Sequence, residues 1–396
     1  MARRSSSFAI VALAAAGFCA APTARAEVGI KVPGTSLVVR PYVETEGGYD
    51  SNPDNLIVEP GSSFVKTEGG VKFESDTSGQ YYGLTLKVKD VYFENLNIEN
   101  RWDFRAAFNA SIDLTSDQTV KFGSQFVRDF FNLERANIYT SYADYTLRQP
   151  EFRFKLEGKN HVEQNLNSEA RGNLDQDVFN ISKSQAFDFS RTDVKVSLLT
   201  FTKSSWLQPF VIYDRASLSY FNQASGASID RNAQEQYGIA GVRLQFDDRF
   251  RIDIGARQNM RDFDDRDFKN FDSVWYDLNV YWQPLDTIKV TAIAERFVEE
   301  PGTLFGVADD TRTAGVTFDW QFRPQWKLTT AGYYDRTEAI GDDFRYNKYL
   351  ATMSIVYEPQ EHTEYYLSGL GKWVDEEVTG DSYDRYKIGA GLRYKF

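Results

Sequence analysis

Between Trp102 and Leu114 every second residue is apolar. Trp102, Phe104, Ala106, Phe108, Ala110, Ile112 and Leu114 form one row, and Arg101, Asp103, Arg105, Asn109, Ser111 and Asp113 form the other. A period of two, with one apolar and one charged row, marks a strand whose faces meet different solvents. Its length suits a tilted membrane strand, which needs roughly 9–11 residues. The final stretch, Tyr386–Phe396, repeats the pattern: Ile388, Ala390, Leu392, Tyr394 and Phe396 against Lys387, Gly389, Gly391, Arg393 and Lys395. Comparable alternation runs through Leu37–Tyr49, Val65–Phe73, Tyr81–Lys89, Phe152–Glu157, Asp193–Leu198, Phe250–Arg257, Val274–Gln283, Val316–Phe322 and Tyr349–Tyr357. Weaker strands are expected at Val120–Phe126, Ile138–Leu147, Trp206–Tyr220, Tyr237–Phe246, Ile288–Phe297, Trp326–Tyr334 and Thr363–Trp373. In Trp206–Tyr220 both parities hold apolar residues and a charge, so its faces stay unassigned.

The connections carry an independent signal. Short turns are expected at Asp76–Gly79, Thr115–Gln118, Arg148–Glu151, Thr202–Ser205, Asp247–Arg249, Pro284–Thr287, Arg323–Gln325 and Pro359–His362. Longer polar loops are expected at Asp50–Ser62, Asn160–Ala186, Phe221–Gln236, Asp262–Phe271, Glu299–Thr311, Arg336–Tyr346 and Glu376–Asp384. Tight turns at one end and long loops at the other are the asymmetry of outer-membrane barrels. The predicted fold is therefore all-β: a transmembrane antiparallel up-and-down β-barrel of about 18 strands, with 16 as the alternative. Both termini then lie on the periplasmic side, and the last strand closes against the one beginning near Leu37. The longest loop, Asn160–Ala186, is the candidate for an inward-folded constriction.

Composition modifies this in three places. Arg3 and Arg4, the apolar run Phe8–Ala21 and Ala24-Arg25-Ala26 read as a secretory leader cleaved after Ala26. Residues 27–36 would then form a short periplasmic lead and residues 37–396 the barrel. Cys19 is the only cysteine and falls in the leader, so neither a disulfide framework nor a thiolate metal site is available to the mature chain. The net charge of −12 argues against nucleic acid as a partner. Mean hydropathy is −0.48, which would suggest a soluble protein, but alternating strands never build a long apolar run. The 30 Phe, 23 Tyr and 7 Trp fit aromatic girdles at two membrane interfaces.

A barrel of this size is too wide for side chains to fill, so the charged rows become its chemistry. Expected pore-lining residues are Glu44, Lys66, Glu68, Lys87, Arg101, Asp103, Arg105, Arg153, Lys155, Arg251, Asp253, Arg257, Asp277, Asp319, Lys387 and Arg393. Acids expected in loops, among them Asp262, Asp264, Asp265, Asp267, Glu299, Glu300, Asp309 and Asp310, would make an acidic outer mouth that repels anions. The run Arg261–Asp272 lacks the spacing and central glycine of an EF-hand loop, and no cofactor or metal is implied. An outer-membrane hydrolase would need an activated nucleophile. His161, expected at the start of a long loop, and His362, in a short turn, have none in a recognisable motif. An adhesin or purely structural barrel would call for larger external loops.

The segment Tyr42–Asn55, YVETEGGYDSNPDN, together with the regular alternation and the terminal Phe, resembles the outer-membrane porin family called beta-barrel porin 2. The resembling core is Gly48-Tyr49-Asp50-Ser51-Asn52. The resemblance implies a link with exopolysaccharide production, and hence a secretion port for a polysaccharide with periplasmic export components as partners. It also implies that Tyr394 and Phe396 form the signal read by the outer-membrane assembly machinery. No catalytic residues come with it. Lumenal tyrosines such as Tyr42, Tyr81, Tyr281 and Tyr333 would suit sugar faces. A general diffusion porin for small hydrophilic solutes would show the same residues.

Overall fold

The computed structural model describes residues 29–52, 61–95, 101–131, 134–166, 189–200, 206–220, 232–266, 270–299, 308–340, 343–377 and 382–396. After a two-residue strand, β1 (Ile30–Lys31), the chain runs through β2 (Leu37–Asp50), β3 (Ser62–Thr77), β4 (Gln80–Phe93), β5 (Arg101–Thr115), β6 (Gln118–Phe131) and β7 (Glu134–Arg148). There follow β8 (Phe152–Leu166), β9 (Phe189–Thr200), β10 (Leu207–Tyr220), β11 (Ala233–Gln245), β12 (Phe250–Phe263) and β13 (Phe271–Leu285). The last six are β14 (Ile288–Glu299), β15 (Ala308–Arg323), β16 (Trp326–Ile340), β17 (Arg345–Gln360), β18 (Thr363–Glu376) and β19 (Ser382–Lys395). From β2 to β19 each strand pairs antiparallel with the next, and β19 pairs with β2, closing an 18-strand barrel. Closure leaves no free edge between first and last strand.

The expected tight turns lie at one end of this barrel, apart from Thr202–Ser205, which lies outside the described residues. Residues 78–79, 116–117, 286–287, 324–325 and 361–362 each join two strands directly. Gly79 has φ 79°, a left-handed conformation that an L side chain rarely adopts, which lets the chain reverse within two residues. The other end is less regular than the sequence suggests. There β6 and β7 are separated only by residues 132–133, so short and long connections do not alternate strictly. Strands also run further than the pattern implies. Strand β8 continues to Leu166, so His161 is a strand residue opposite Thr140 rather than the start of a loop, and the rest of Asn160–Ala186 from residue 167 lies outside the described residues. His362 does sit in a turn.

The outward face explains the length. Ring pairs form a belt near the tight turns: Trp320–Phe322 (5.4 Å), Phe322–Trp326 (5.9 Å), Trp326–Tyr357 (4.5 Å) and Tyr357–Tyr365 (6.3 Å). A second group lies higher up, with Phe126–Tyr139 (4.9 Å), Tyr334–Tyr349 (5.1 Å) and Trp373–Tyr386 (5.7 Å). Exposed aliphatic residues such as Val211, Ile254, Val316 and Ile388 fill the band between. Above it the outward face turns polar, with Asn160–Thr192, Gln234–Ser217 and Arg128–Asn137 hydrogen-bonded across strands. Strands of up to 16 residues span about 50 Å, while the apolar band of such barrels is only about 25 Å tall. The outer strand ends therefore stand clear of the membrane.

The first-strand motif closes the seam at that outer end. Arg385 on β19 donates to both carboxylate oxygens of the fully buried Asp50 (3.0 and 2.6 Å). Ser51 N donates to Tyr386 O (2.9 Å), Tyr386 N donates to Ser51 Oγ (2.7 Å), and Asn52 Nδ2 reaches Asp384 O (3.5 Å). Gly48 lies against the Ile388 carbonyl so closely that a Cβ would come within 2.0 Å of it. At the other end of the seam, Phe396 N donates to Pro41 O (3.0 Å), and beyond it Ile30 and Lys31 pair with Val39 and Val38. Part of the expected periplasmic lead thus caps the edge of β2 that β19 is too short to cover.

Candidate functional site

The register places Glu44, Lys66, Glu68, Lys87, Asp103, Arg105, Arg153, Lys155, Arg251, Asp253, Arg257, Asp277, Asp319, Lys387 and Arg393 on the lumenal face. Arg101 lies opposite Val91 in β5, but its side chain lies outside the described residues. Tyr42, Tyr81, Tyr281 and Tyr333 share the same face.

Around the seam charged side chains form neighbouring bonded clusters. Glu44 accepts from Arg393 Nε and Nη2 (2.8 and 2.5 Å) and lies 3.0 Å from Lys66 Nζ, which also reaches Glu46 (2.9 Å). Lys87 pairs with Glu68 (3.0 Å) and Lys89 with Asp103 (2.8 Å), while Arg40 and Lys72 share Glu74 (2.8 and 2.6 Å). Lys395 bridges Glu358 (3.3 Å) and Glu364. Tyrosine hydroxyls donate to the same carboxylates: Tyr42 to Glu68 (2.7 Å), Tyr81 to Glu74 (2.9 Å) and Tyr366 to Glu44 (2.9 Å). Both oxygens of Glu44, Glu46, Glu68 and Glu74 thereby gain partners in place of water, as buried carboxylates require. Beside these clusters a cleft of about 680 Å³ opens near the tight turns, bordered by Tyr42, Glu68, Lys72, Lys87, Arg393 and Lys395. Its walls offer both signs of charge and an aromatic ring, a surface suited to hydroxyl-rich ligands.

Further round, Arg191 joins Asp193 (2.7 Å) to Glu235 (2.9 Å), and Arg243 grips Asp253 with two bonds (2.7 and 2.9 Å). Arg257 pairs with Asp277 and reaches Glu295 (3.3 Å), its guanidinium 5.3 Å from the Tyr237 ring. Strand β10 turns out to face the lumen with Gln208, Asp214, Ala216, Leu218 and Tyr220. Phe189 joins Ala216, Leu218 and Tyr220 in a buried cluster at the outer end.

A second apolar cluster reveals a bend in the wall. Pairing of β13 with β14 stops, among the described residues, at Leu278↔Ala294. Beyond it, Val298 and Ala308 carry outward parity, yet they are buried with the lumenal Ala233 and Phe263, and Phe271 and Ile340 pack on them. The Arg296 carbonyl accepts from the lumenal Asn259 Nδ2 (3.1 Å) and Arg257 Nη1 (3.4 Å). Both Arg296 and Arg312 lie over the Trp275 ring (6.0 and 5.9 Å). The outer ends of β14 and β15 have left the wall and lie against the lumenal faces of β11–β13, narrowing the outer mouth. The constriction expected of Asn160–Ala186 falls, from residue 167, outside the described residues. A usable signal for the inward lean existed: Arg296, Arg312 and Asp310 interrupt rows that are otherwise apolar, and a charge there cannot face lipid.

The expected acidic mouth needs correction for the same reason. Asp309 and Asp310 are not loop residues; they sit on β15, 3% and 4% exposed, and Asp310 is held by Arg296 (2.7 and 2.5 Å). Glu299 ends β14, and Asp267 and Glu300 lie outside the described residues.

The fold resembles outer-membrane barrels of known structure. OccK2 (OpdF) of Pseudomonas aeruginosa, in complex with glucuronate, superposes with a TM-score of 0.51 at 7% identity, covering 91% of this chain and 98% of that one. OpdK of the same organism gives 0.46 at 10% identity (90% and 99% covered), and its siderophore receptor PirA 0.48 at 10% (92% and 81%). No curated protein matches the chain. The family model described as "Putative beta-barrel porin 2" matches residues 24–396, and the chain belongs to that family: it is an outer-membrane β-barrel porin.

Proposed function

We propose that this porin is a passive port for export of a polysaccharide. The observation that carries the reading is the lumenal wall around the seam cleft, where Tyr42, Tyr81 and Tyr366 hold carboxylates that are also ion-paired. Such a wall offers many weak donors, acceptors and ring faces and few isolated charges. It would let a polyhydroxylated chain slide without binding it tightly, because passage needs contacts favourable enough to enter and weak enough to leave. On this reading the chain is exported by a leader cleaved after Ala26, assembled by machinery that reads Tyr394 and Phe396, and works with periplasmic export components. The purified protein in a planar bilayer tests it: oligosaccharides added to one side should interrupt the current in a concentration-dependent way. Steady conductance untouched by oligosaccharides of any size would identify a general diffusion porin, and a barrel sealed under every condition would refute both.

A further inference from the structure

The lumen is not uniform around its circumference. Near the seam most of its cations are held by carboxylates, with Lys387 over the Phe64 ring instead. On β5–β9 Lys155 and Arg191 are held in the same way, but a further set of cations is not. Among the described residues, Arg105, Lys121, Arg148, Arg153, Lys159 and Lys195 all face the lumen, and none is ion-paired. Arg105 donates only to the Gln125 amide oxygen (2.5 Å) and Arg148 only to Thr119 Oγ1 (3.0 Å). Five of the six are exposed, and Lys195 is half-buried.

Acids are present on these strands but are already committed. Asp144 and Glu157 are both engaged by Lys155 (3.8 and 2.6 Å), Asp193 by Arg191 (2.7 Å), and Asp113 accepts from Thr119 (2.8 Å). The cations left over are also ordered along the axis. Arg148 and Arg153 face each other beside the tight turn at 149–151, Lys121 and Lys195 lie further up, and Lys159 and Arg105 stand higher still. From Arg153 to Lys159 the strand rises about 20 Å. Lining a water-filled path with cations that no protein group neutralises raises the local concentration of anions and steers them along it.

We propose that this arc is a track for anionic groups, and that the cargo is an acidic polysaccharide bearing carboxylates. This rests on the export reading above, and the experiment separates the two. Reversal potentials in a KCl gradient, and current block by oligogalacturonate and by uncharged maltohexaose, are measured for the wild type and for Lys121→Ser/Arg153→Ser/Lys159→Ser. The wild type should prefer chloride, and oligogalacturonate should block at about tenfold lower concentration than maltohexaose, the effect of two or three weak solvent-exposed charge contacts. The triple variant should lose both preferences, and Lys121→Arg/Lys159→Arg should keep them, which separates charge from a disturbed barrel. Equal block by both sugars, unchanged in the triple variant, would overturn the track and leave polysaccharide export standing. Chloride preference without block by either sugar would overturn the acidic cargo together with the export reading. Cation preference in the wild type would refute the arc outright.

Discussion

The inward lean of β14 and β15 rests on a small set of contacts, so its strength can be worked out and removed. Trp275 sits beneath two guanidiniums, those of Arg296 and Arg312. Each such contact is worth about 0.5–1 kcal/mol where water has access and about 2 kcal/mol where it does not. Val298, only 7% exposed, adds about 1.5–3 kcal/mol for its burial against Phe263 and Ala233. Trp275→Ala should therefore cost the inward arrangement about 1–2 kcal/mol, a factor of about 5–30 in its population. Val298→Asp, which places a carboxylate in the apolar cluster, should cost more. Both side chains lie at the outer end, above the apolar band, so the barrel itself should still assemble and resist unfolding in cold detergent. Single-channel recordings then give the answer: larger unit conductance or longer open dwells in each variant, and the largest change in the double variant. If the double variant is folded and its conductance and dwell times match the wild type, these strand ends do not control the mouth.

Two further outcomes follow from the seam. Gly48→Ala would force a Cβ to within 2.0 Å of the Ile388 carbonyl, whereas Gly69→Ala meets nothing within 4 Å. The first should lower the temperature at which the folded, fast-migrating form is lost on gel electrophoresis, and the second should leave it unchanged; equal behaviour would remove the close approach as a constraint. Deleting Phe396 removes the bond to Pro41 O and the ring packed on Tyr394 (4.8 Å). Far less protein should reach the outer membrane, and wild-type levels would dispose of the proposed assembly signal.

The strands were legible because each lipid-facing row must be apolar and each lumenal row can be anything polar. Trp102–Leu114 obeys this with Ala107 as the one exception, and its faces in the barrel are those its alternation predicts. Legibility ended where that condition ends, above the membrane. Strand β10 could not be oriented because Ala216, Leu218 and Tyr220 answer to apolar neighbours inside the barrel. The acid-rich Glu299–Thr311 resembled a solvated loop because charge alone does not disclose a partner, and Arg296 stands on a different strand. The charged rows identified the lumenal residues, but whether a given cation is paired depends on register between strands, which no single strand encodes.

The clasp formed by Gly48–Asn52 has a consequence for biogenesis. Asp50 and Arg385 are separated by 335 positions, so the first full strand of the barrel, already paired with β3, acquires its second neighbour only when almost the whole polypeptide is present. Contacts that distant form late, since the intervening chain must first be organised. A nascent or truncated chain would hold a carboxylate at Asp50 with no guanidinium to meet it and a backbone edge at Ser51 with nothing to bond. The five residues thus act as a test of completeness: they lock only onto an intact C-terminal strand, and a barrel missing its end stays unlatched and open to proteolysis.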